Sequence, residues 1–150
     1  MLALTKATGY AILALGCLDC QEEKSVVSTR EISEGFDIPG ELLAKVLQRL
    51  SRQGILKAHQ GRGGGYSLER PITEISVGEV VEAVEGPIAI AVCLKDGGQE
   101  LCDLFENCTI RTPVGHIQQK LTELFASIMI SDIASGIDLC PRKGYLSQST

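Results

Sequence analysis

The chain has 150 residues, of which 44% are hydrophobic and 22% are charged, and its net charge is −5 at pH 7. This length predicts one globular domain with an appendage, large enough to bury a core without disulfide crosslinks. No apolar run is long enough to span a bilayer, so a membrane partner is excluded. The start, MLALTKATGYAILAL, lacks a cleavage-site pattern. We therefore interpret it as a helix from about Lys6 to Leu18, capped by Thr5, in a cytoplasmic protein.

Charge is distributed unevenly along the chain. Residues 1–70 carry nine Lys or Arg and eight Asp or Glu, whereas residues 71–150 carry five and eleven. Between Lys45 and Arg62, five basic residues occur without an acidic one. Because phosphate contacts are short-ranged in physiological salt, this local basic strip matters more for DNA than the negative total does.

Two helices separated by a tight turn are predicted next. Ser28 and Glu31 have the spacing of a capping box, and the short helix that they open is expected to end at Gly35. Pro39 suits the first turn of the following helix, which Gly54 ends. Its apolar residues share one face and its basic residues the other. This pattern indicates a helix-turn-helix whose second helix enters the major groove.

A β-hairpin with a glycine-rich tip is predicted to follow directly. Residues 55–60 and 66–68 flank the tip, and Ser76 with Glu79 then opens a helix to about Val84. The predicted fold is mainly α with a small β-hairpin wing (α+β), a winged helix-turn-helix followed by a long dimerisation helix. A helical domain of another kind with an accidental basic face is the alternative. The expected DNA contacts are Ser28, Thr29, Pro39, Gly40, Glu41, Lys45, Arg49, Arg62, Gly63 and Gly64.

Three of the six cysteines lie in the polar segment CLKDGGQELCDLFENC, at Cys93, Cys102 and Cys108. Thiolates at this spacing can ligate zinc, an iron–sulfur cluster or each other. Three unrelated buried thiols and a disulfide switch remain the alternatives. Cys17 is expected in the core, whereas the roles of Cys20 and Cys140 stay open.

A long amphipathic helix is predicted from Thr112 to residue 134. Its apolar stripe is wider than an isolated helix needs, which indicates dimerisation. We divide the chain into a DNA-binding domain (1–86), a cysteine segment (87–111), a dimerisation helix (112–134) and a flexible tail (135–150). No nucleophile–base–orienter set or pair of catalytic carboxylates stands out, which weakens an enzymatic function.

These elements together resemble the IscR/NsrR-type family of winged-helix transcription regulators. The resemblance rests on LTKATGYAILAL, LLAKVLQRLSRQGIL, GRGGGYSLERPITEISVGEVVEAVEG and the three downstream cysteines, over roughly residues 1–134. It is greatest for the regulators of SUF-type iron–sulfur assembly operons. The resemblance implies a homodimer that binds a pseudo-palindromic DNA operator with an affinity set by an iron–sulfur cluster, 2Fe–2S or 4Fe–4S, on Cys93, Cys102 and Cys108.

The resemblance leaves the fourth cluster ligand open. The position that holds a ligating histidine in well-known members is Arg111 here, and the position of the partner's acidic ligand in other members is Gly9. The remaining candidates are a small thiol, water or one of Glu100, Asp103, Glu106 and His116. Two alternative functions are a cluster-free repressor that responds to thiols or metabolites, and a metal-dependent enzyme or electron carrier of the same topology.

Overall fold

The structure is a computed structural model that describes residues 4–21 and 26–135. Cys140 and all of the predicted tail except Ser135 therefore lie outside the described residues. Six α-helices and one two-stranded antiparallel sheet are assigned within those ranges. They are α1 (Lys6–Cys20), α2 (Thr29–Phe36), α3 (Gly40–Arg52), β1 (Leu56–His59), β2 (Gly65–Leu68), α4 (Val77–Glu85), α5 (Arg111–Ser127) and α6 (Ile130–Ala134). The predicted class, mainly α with a small β-hairpin, is confirmed.

The core lies between α1, α3 and α4, with α2 and α6 closing its sides. Each of these helices contributes a face of aliphatic side chains, and each such side chain adds roughly 1.5–3 kcal/mol when it is fully buried. Cys17 is fully buried in this core, as predicted. Burial, with a smaller contribution from the Glu31 carboxylate, raises the pKa of the Cys17 thiol to about 11. Cys20, at the end of α1, is disulfide-bonded.

The turn between α2 and α3 begins two residues later than predicted. Helix α2 continues through Gly35 and Phe36, and Asp37 takes the left-handed conformation that ends it, with φ of 54°. Aspartate is one of the few residues that visits this region readily. The Ser33 hydroxyl donates to the Ile38 backbone oxygen at 2.6 Å and fixes the entry into α3.

The wing is a four-residue ladder in which Leu56 pairs with Leu68 and His59 with Gly65. Val27, just before α2, extends this sheet through two backbone hydrogen bonds with Tyr66, of 3.0 and 2.9 Å. A Cβ atom on Gly65 would lie 2.2 Å from the Val27 oxygen, so only glycine permits this approach. The bridge holds the wing against the start of α2.

Helix α5 does not continue to residue 134 as one element, although the apolar pattern does. Its regular hydrogen bonding ends at Ser127, and residues 128–130 run beside residues 75–77. The Val77 amide donates to the Ile128 oxygen and the Ile130 amide to the Ile75 oxygen, both at 2.8 Å. These strand-like bonds compete with the helix and turn the chain into α6, whose Ile130 is fully buried.

Candidate nucleic-acid interface and cysteine segment

Helix α3 presents one buried and one exposed face. Leu43, Val46, Leu47 and Leu50 are buried, whereas the predicted DNA contacts Pro39, Gly40, Glu41, Lys45 and Arg49 are exposed. The apolar positions recur at helical spacing, so packing of one face leaves the polar face to solvent. This places five of the predicted contact residues on one accessible surface.

Arg49 is held within the protein by a hydrogen bond. Its Nη1 donates to the backbone oxygen of Val84, in the last turn of α4, at 2.6 Å. The last four carbonyls of an α-helix have no hydrogen-bond partner within the helix, and the Val84 carbonyl is one of them. No local sequence pattern predicts this bond, because the two residues are 35 positions apart. Arg49 therefore joins α3 to α4, and a DNA contact by it stays a prediction.

Ser28 and Thr29 are half-buried at the start of α2. The Ser28 hydroxyl accepts from the Glu31 amide at 3.2 Å and donates to the Glu31 carboxylate at 2.7 Å. The Glu31 carboxylate in turn accepts from the Ser28 amide, which completes the predicted capping box. The Ser28 hydroxyl therefore already bonds to Glu31. A DNA phosphate at this point would contact the backbone at the start of α2.

The wing tip is a tight turn closed by a 3.0 Å hydrogen bond from the Gly64 amide to the Gly61 oxygen. Gly63 adopts a φ of 70°, and a Cβ on Gly64 would lie 2.6 Å from the His59 oxygen. The turn therefore requires glycine at both positions. Arg62 lies exposed directly before them, and its guanidinium has no ion-pair or hydrogen-bond partner among the described residues.

The basic strip forms no side-chain ion pair with the described residues. Within residues 4–21 and 26–135, the only side-chain ion pairs are Arg30 with Glu34 and Arg70 with Glu79. The exposed residues Lys45, Arg52, Lys57 and Arg62 take part in neither. A surface with free basic groups on a helix and an adjacent hairpin tip suits the phosphates of a DNA duplex.

The cysteine segment folds as three short 3₁₀ turns, at Val92–Leu94, Gly98–Leu101 and Phe105–Asn107. Cys93 lies in the first turn, and Cys102 and Cys108 follow the second and third directly. All three are half-buried free thiols. Each is therefore accessible enough to react or to ligate, which sets them apart from the buried Cys17.

The long spacing between Cys93 and Cys102 is taken up by a compact loop. Gly97 takes the left-handed conformation, with φ of 70°, and Gly98 is buried behind it. A Cβ on Gly98 would lie 2.0 Å from the Val92 oxygen and 3.0 Å from Cα of Cys93. The glycine pair thus folds the loop back onto the Cys93 backbone.

The thiols suit an iron–sulfur cluster in chemistry, because cluster ligation needs accessible thiolates on a segment that can wrap around the cluster. Their arrangement is not that of an assembled site. No group of three or more His, Cys, Asp or Glu side chains in the described part of the chain is positioned to hold a metal ion. The three thiols therefore lie on one segment, but they are not close enough together to form a metal site.

Neither familiar position for a fourth ligand supplies one. The Arg111 guanidinium packs over the Phe105 ring, 4.4 Å from its centroid, and donates to the Phe105 oxygen at 3.1 Å. Gly9 has open space where a side chain would stand. Its neighbour Thr8 is fully buried and donates its hydroxyl to Glu85. The sequence did not reveal this role of Thr8 and Glu85, since nothing local links them.

Helix α5 has no buried residue. Ile117 and Leu124, on its apolar stripe, are each 52% exposed. A 17-residue helix with an uncovered apolar face is unusual for a protein that remains a monomer. The stripe is therefore the surface best suited to a second copy of the chain.

Comparison with known proteins decides the family. The family model described as "Rrf2: Iron-dependent Transcriptional regulator" matches residues 4–136. This chain belongs to the Rrf2 family. Among curated relatives, the HTH-type transcriptional regulator NsrR of Oceanobacillus iheyensis is 27% identical over 126 residues, which are 84% of this chain and 82% of NsrR.

Solved structures show the same fold. IscR of T. potens superposes with a TM-score of 0.66 at 20% identity, over 91% of this chain and 89% of that one. CymR of B. subtilis, described as the global cysteine regulator, gives 0.65 at 20% identity, over 92% and 100%. The winged-helix prediction and the family resemblance are confirmed.

Family membership makes this Rrf2 protein a DNA-binding transcription regulator and not an enzyme. The metal-dependent enzyme considered from the sequence is therefore set aside. No helix in the described residues is both long and apolar enough to cross a membrane.

Proposed function

We propose that this Rrf2 protein is a cytoplasmic homodimer that binds a pseudo-palindromic operator and whose affinity depends on an iron–sulfur cluster, 2Fe–2S or 4Fe–4S. Cys93, Cys102 and Cys108 would hold the cluster, and genes for SUF-type cluster assembly are the proposed targets. The observation that carries the proposal is the position of three free, half-buried thiols between the winged helix and the uncovered helix α5. The description of the family as iron-dependent supports it.

The chain's own residues supply the DNA contacts. Lys45 and the exposed N-terminal turn of α3 would lie in the major groove, and Arg62 at the wing tip would reach the adjacent minor groove. Pairing of two α5 helices would fix the distance between the two copies of α3, and hence the half-site spacing. Ser28 and Thr29 would place the start of α2 against the backbone.

The cysteine segment would act as the input. When bound, a cluster supplies a group that oxygen, nitric oxide or iron limitation can alter. Three thiolates drawn to one group would reshape the loop that Gly97 and Gly98 fold against Cys93, directly upstream of α5. The two winged helices can be placed differently relative to each other. If the loop shape favours the placement that binds DNA, operator affinity rises by the free energy with which that placement is favoured.

Anaerobic purification followed by iron and sulfide analysis tests the cluster. The expected result is a brown protein with thiolate-to-iron absorption, which is lost when Cys93, Cys102 and Cys108 are all changed to serine. The Cys17→Ser variant is the matched control, because its thiol lies in the core, and it should retain the colour. A reconstituted protein without iron or sulfide that binds zinc stoichiometrically would refute the cluster.

A second candidate is a cluster-free regulator of the same fold that responds to thiol chemistry. The absence of a gathered ligand group among the described residues favours it, as does the likeness in fold to CymR, the global cysteine regulator. Operator binding that responds to small thiols or disulfides in iron-free protein would select this candidate. Metabolite-dependent binding that survives the triple serine change would select a regulator that does not use the three thiols.

A further inference from the structure

The chain that leads into Cys93 is tied to α5 by one side chain. The Gln118 carboxamide accepts a hydrogen bond from the Ile90 amide at 2.9 Å and donates one to the Ile88 oxygen at 2.5 Å. These are the bonds that a neighbouring β-strand would make, here supplied by a helix residue. The Gln118 side-chain nitrogen Nε2 also donates to the Thr122 hydroxyl at 3.3 Å. This second bond helps to hold the Gln118 side chain in place.

Within the described part of the chain, Gln118 provides the only hydrogen bonds that anchor residues 87–101 to another element. Among the described residues, residues 87–101 otherwise form hydrogen bonds only with one another, through their local turns. Cys93 lies three residues beyond Ile90. The placement of the Cys93 backbone relative to α5 thus depends on Gln118.

The segment also joins α5 to the DNA-binding helix. Ile88 follows four residues after Val84, whose oxygen accepts the hydrogen bond from Arg49 of α3. Behind the intervening residues lies a cavity of about 350 Å³, lined by Val81, Ile88 and Phe125 among others. Ile88 is partly buried beside this cavity and packs against the core, so the linking residues are held at Ile88 as well as at their two hydrogen-bonded ends.

We infer that Gln118 is the positioning residue that couples the state of Cys93 to helix α5 and, through Val84 and Arg49, to the DNA-binding helix. This inference rests on the proposed function in one respect: it takes the cysteine segment as the input. Hydrogen bonds and the intervening backbone connect the residues before Cys93 both to α5 and to α3. Coupling between two sites requires such a continuous physical connection.

Two measurements on the full-length protein test the inference. The first is amide hydrogen exchange, in which Gln118→Ala should raise the exchange rate of the Ile90 amide roughly tenfold. Gln119→Ala is the matched control, because Gln119 is exposed on the same helix and its side chain hydrogen-bonds, among the described residues, only with Glu123. It should leave the Ile90 rate unchanged. Equal rates in Gln118→Ala and the wild type would overturn the tether.

The second measurement is operator affinity before and after methyl methanethiosulfonate treatment, in a Cys102→Ser/Cys108→Ser background with the modified site verified by peptide mass. This background cannot hold the proposed cluster. The same background with Cys93→Ser added measures the response that comes from Cys17, Cys20 and Cys140, so the difference between the two reports on Cys93. Modification should change affinity several-fold with Gln118 or with the Gln119→Ala control, and should leave it unchanged with Gln118→Ala.

Coupling is overturned if modification changes affinity equally with and without Gln118, or has no effect when Gln118 is present. Failure of the proposed function looks different, because reconstituted wild-type protein that holds no iron or sulfide would refute the cluster without changing the response of Cys93 to modification. The exchange rate of the Ile90 amide would still show whether Gln118 holds the residues before Cys93.

Discussion

Nη1 of Arg49 lies 2.6 Å from the backbone oxygen of Val84, and this hydrogen bond joins the exposed face of α3 to the end of α4. The bond makes Arg49 part of the protein's own framework. Lys45, one turn earlier on the same exposed surface, has no such partner among the described residues. Two basic residues that the sequence treats alike therefore have different structural roles.

Replacement of Arg49 by alanine should lower the free energy of unfolding by about 1 kcal/mol, because the Val84 oxygen loses a charged donor. Lys45→Ala should leave stability unchanged and weaken operator binding. Urea unfolding and electrophoretic shift measurements on both variants separate these effects. Equal stability of Arg49→Ala and the wild type would show that the bond contributes nothing in solution.

Replacement of Arg62 by alanine should weaken operator binding by roughly 1–3 kcal/mol if the wing tip enters the minor groove. Folding should be unaffected, because Arg62 is exposed and bonds to no described residue. Lys120→Ala, which removes an exposed positive charge from α5, should bind nearly as the wild type does. An unchanged affinity for Arg62→Ala would remove the wing tip from the contact surface.

Introduction of a carboxylate into the α5 stripe should prevent dimerisation. Ile117→Glu with Leu124→Glu places charges on the uncovered face, and burial of unpaired charge is costly enough to weaken association at least about 100-fold. Sedimentation velocity should then show a monomer with reduced operator affinity. Gln119→Glu, outside the stripe, is the control. Persistence of the dimer in the double variant would place the interface on another surface.

Acid should destabilise the protein partly through Glu85. Partial burial alone would raise the pKa of this carboxyl, but hydrogen bonds from the Thr5 and Thr8 hydroxyls and the charge of Arg49 together hold the pKa below its ordinary value. A carboxyl with a lowered folded pKa stabilises the protein above its unfolded pKa, and that stabilisation is lost as pH falls through the folded value.

Thr8→Val should therefore flatten the loss of unfolding free energy between about pH 5 and pH 3. Urea unfolding across this range measures the effect, and Glu85→Gln should flatten it as well. Glu82→Gln is the control, because the Glu82 side chain makes no hydrogen bond among the described residues. A wild-type slope in Thr8→Val would mean that its hydroxyl does not hold the carboxylate in solution.

Local sequence signals were sufficient for most of the fold. The capping boxes at Ser28 and Ser76, the Thr5 cap and the glycine-rich hairpin all formed as predicted, because each depends on residues within a few positions of one another. One of the errors was also local. Asp37 ends α2 in place of Gly35, because two conformations compete closely at a helix end.

Tertiary structure decided what joins the elements. The break after Ser127, the Arg49–Val84 bond, the Glu85 network and the Gln118 tie each link residues far apart in sequence, so no periodicity or spacing could reveal them. The sequence by itself determined a winged helix, a basic strip, a cysteine trio and an amphipathic helix. Only the folded chain shows how they are connected, because hydrogen bonds between distant backbone and side-chain groups form once packing has brought them together.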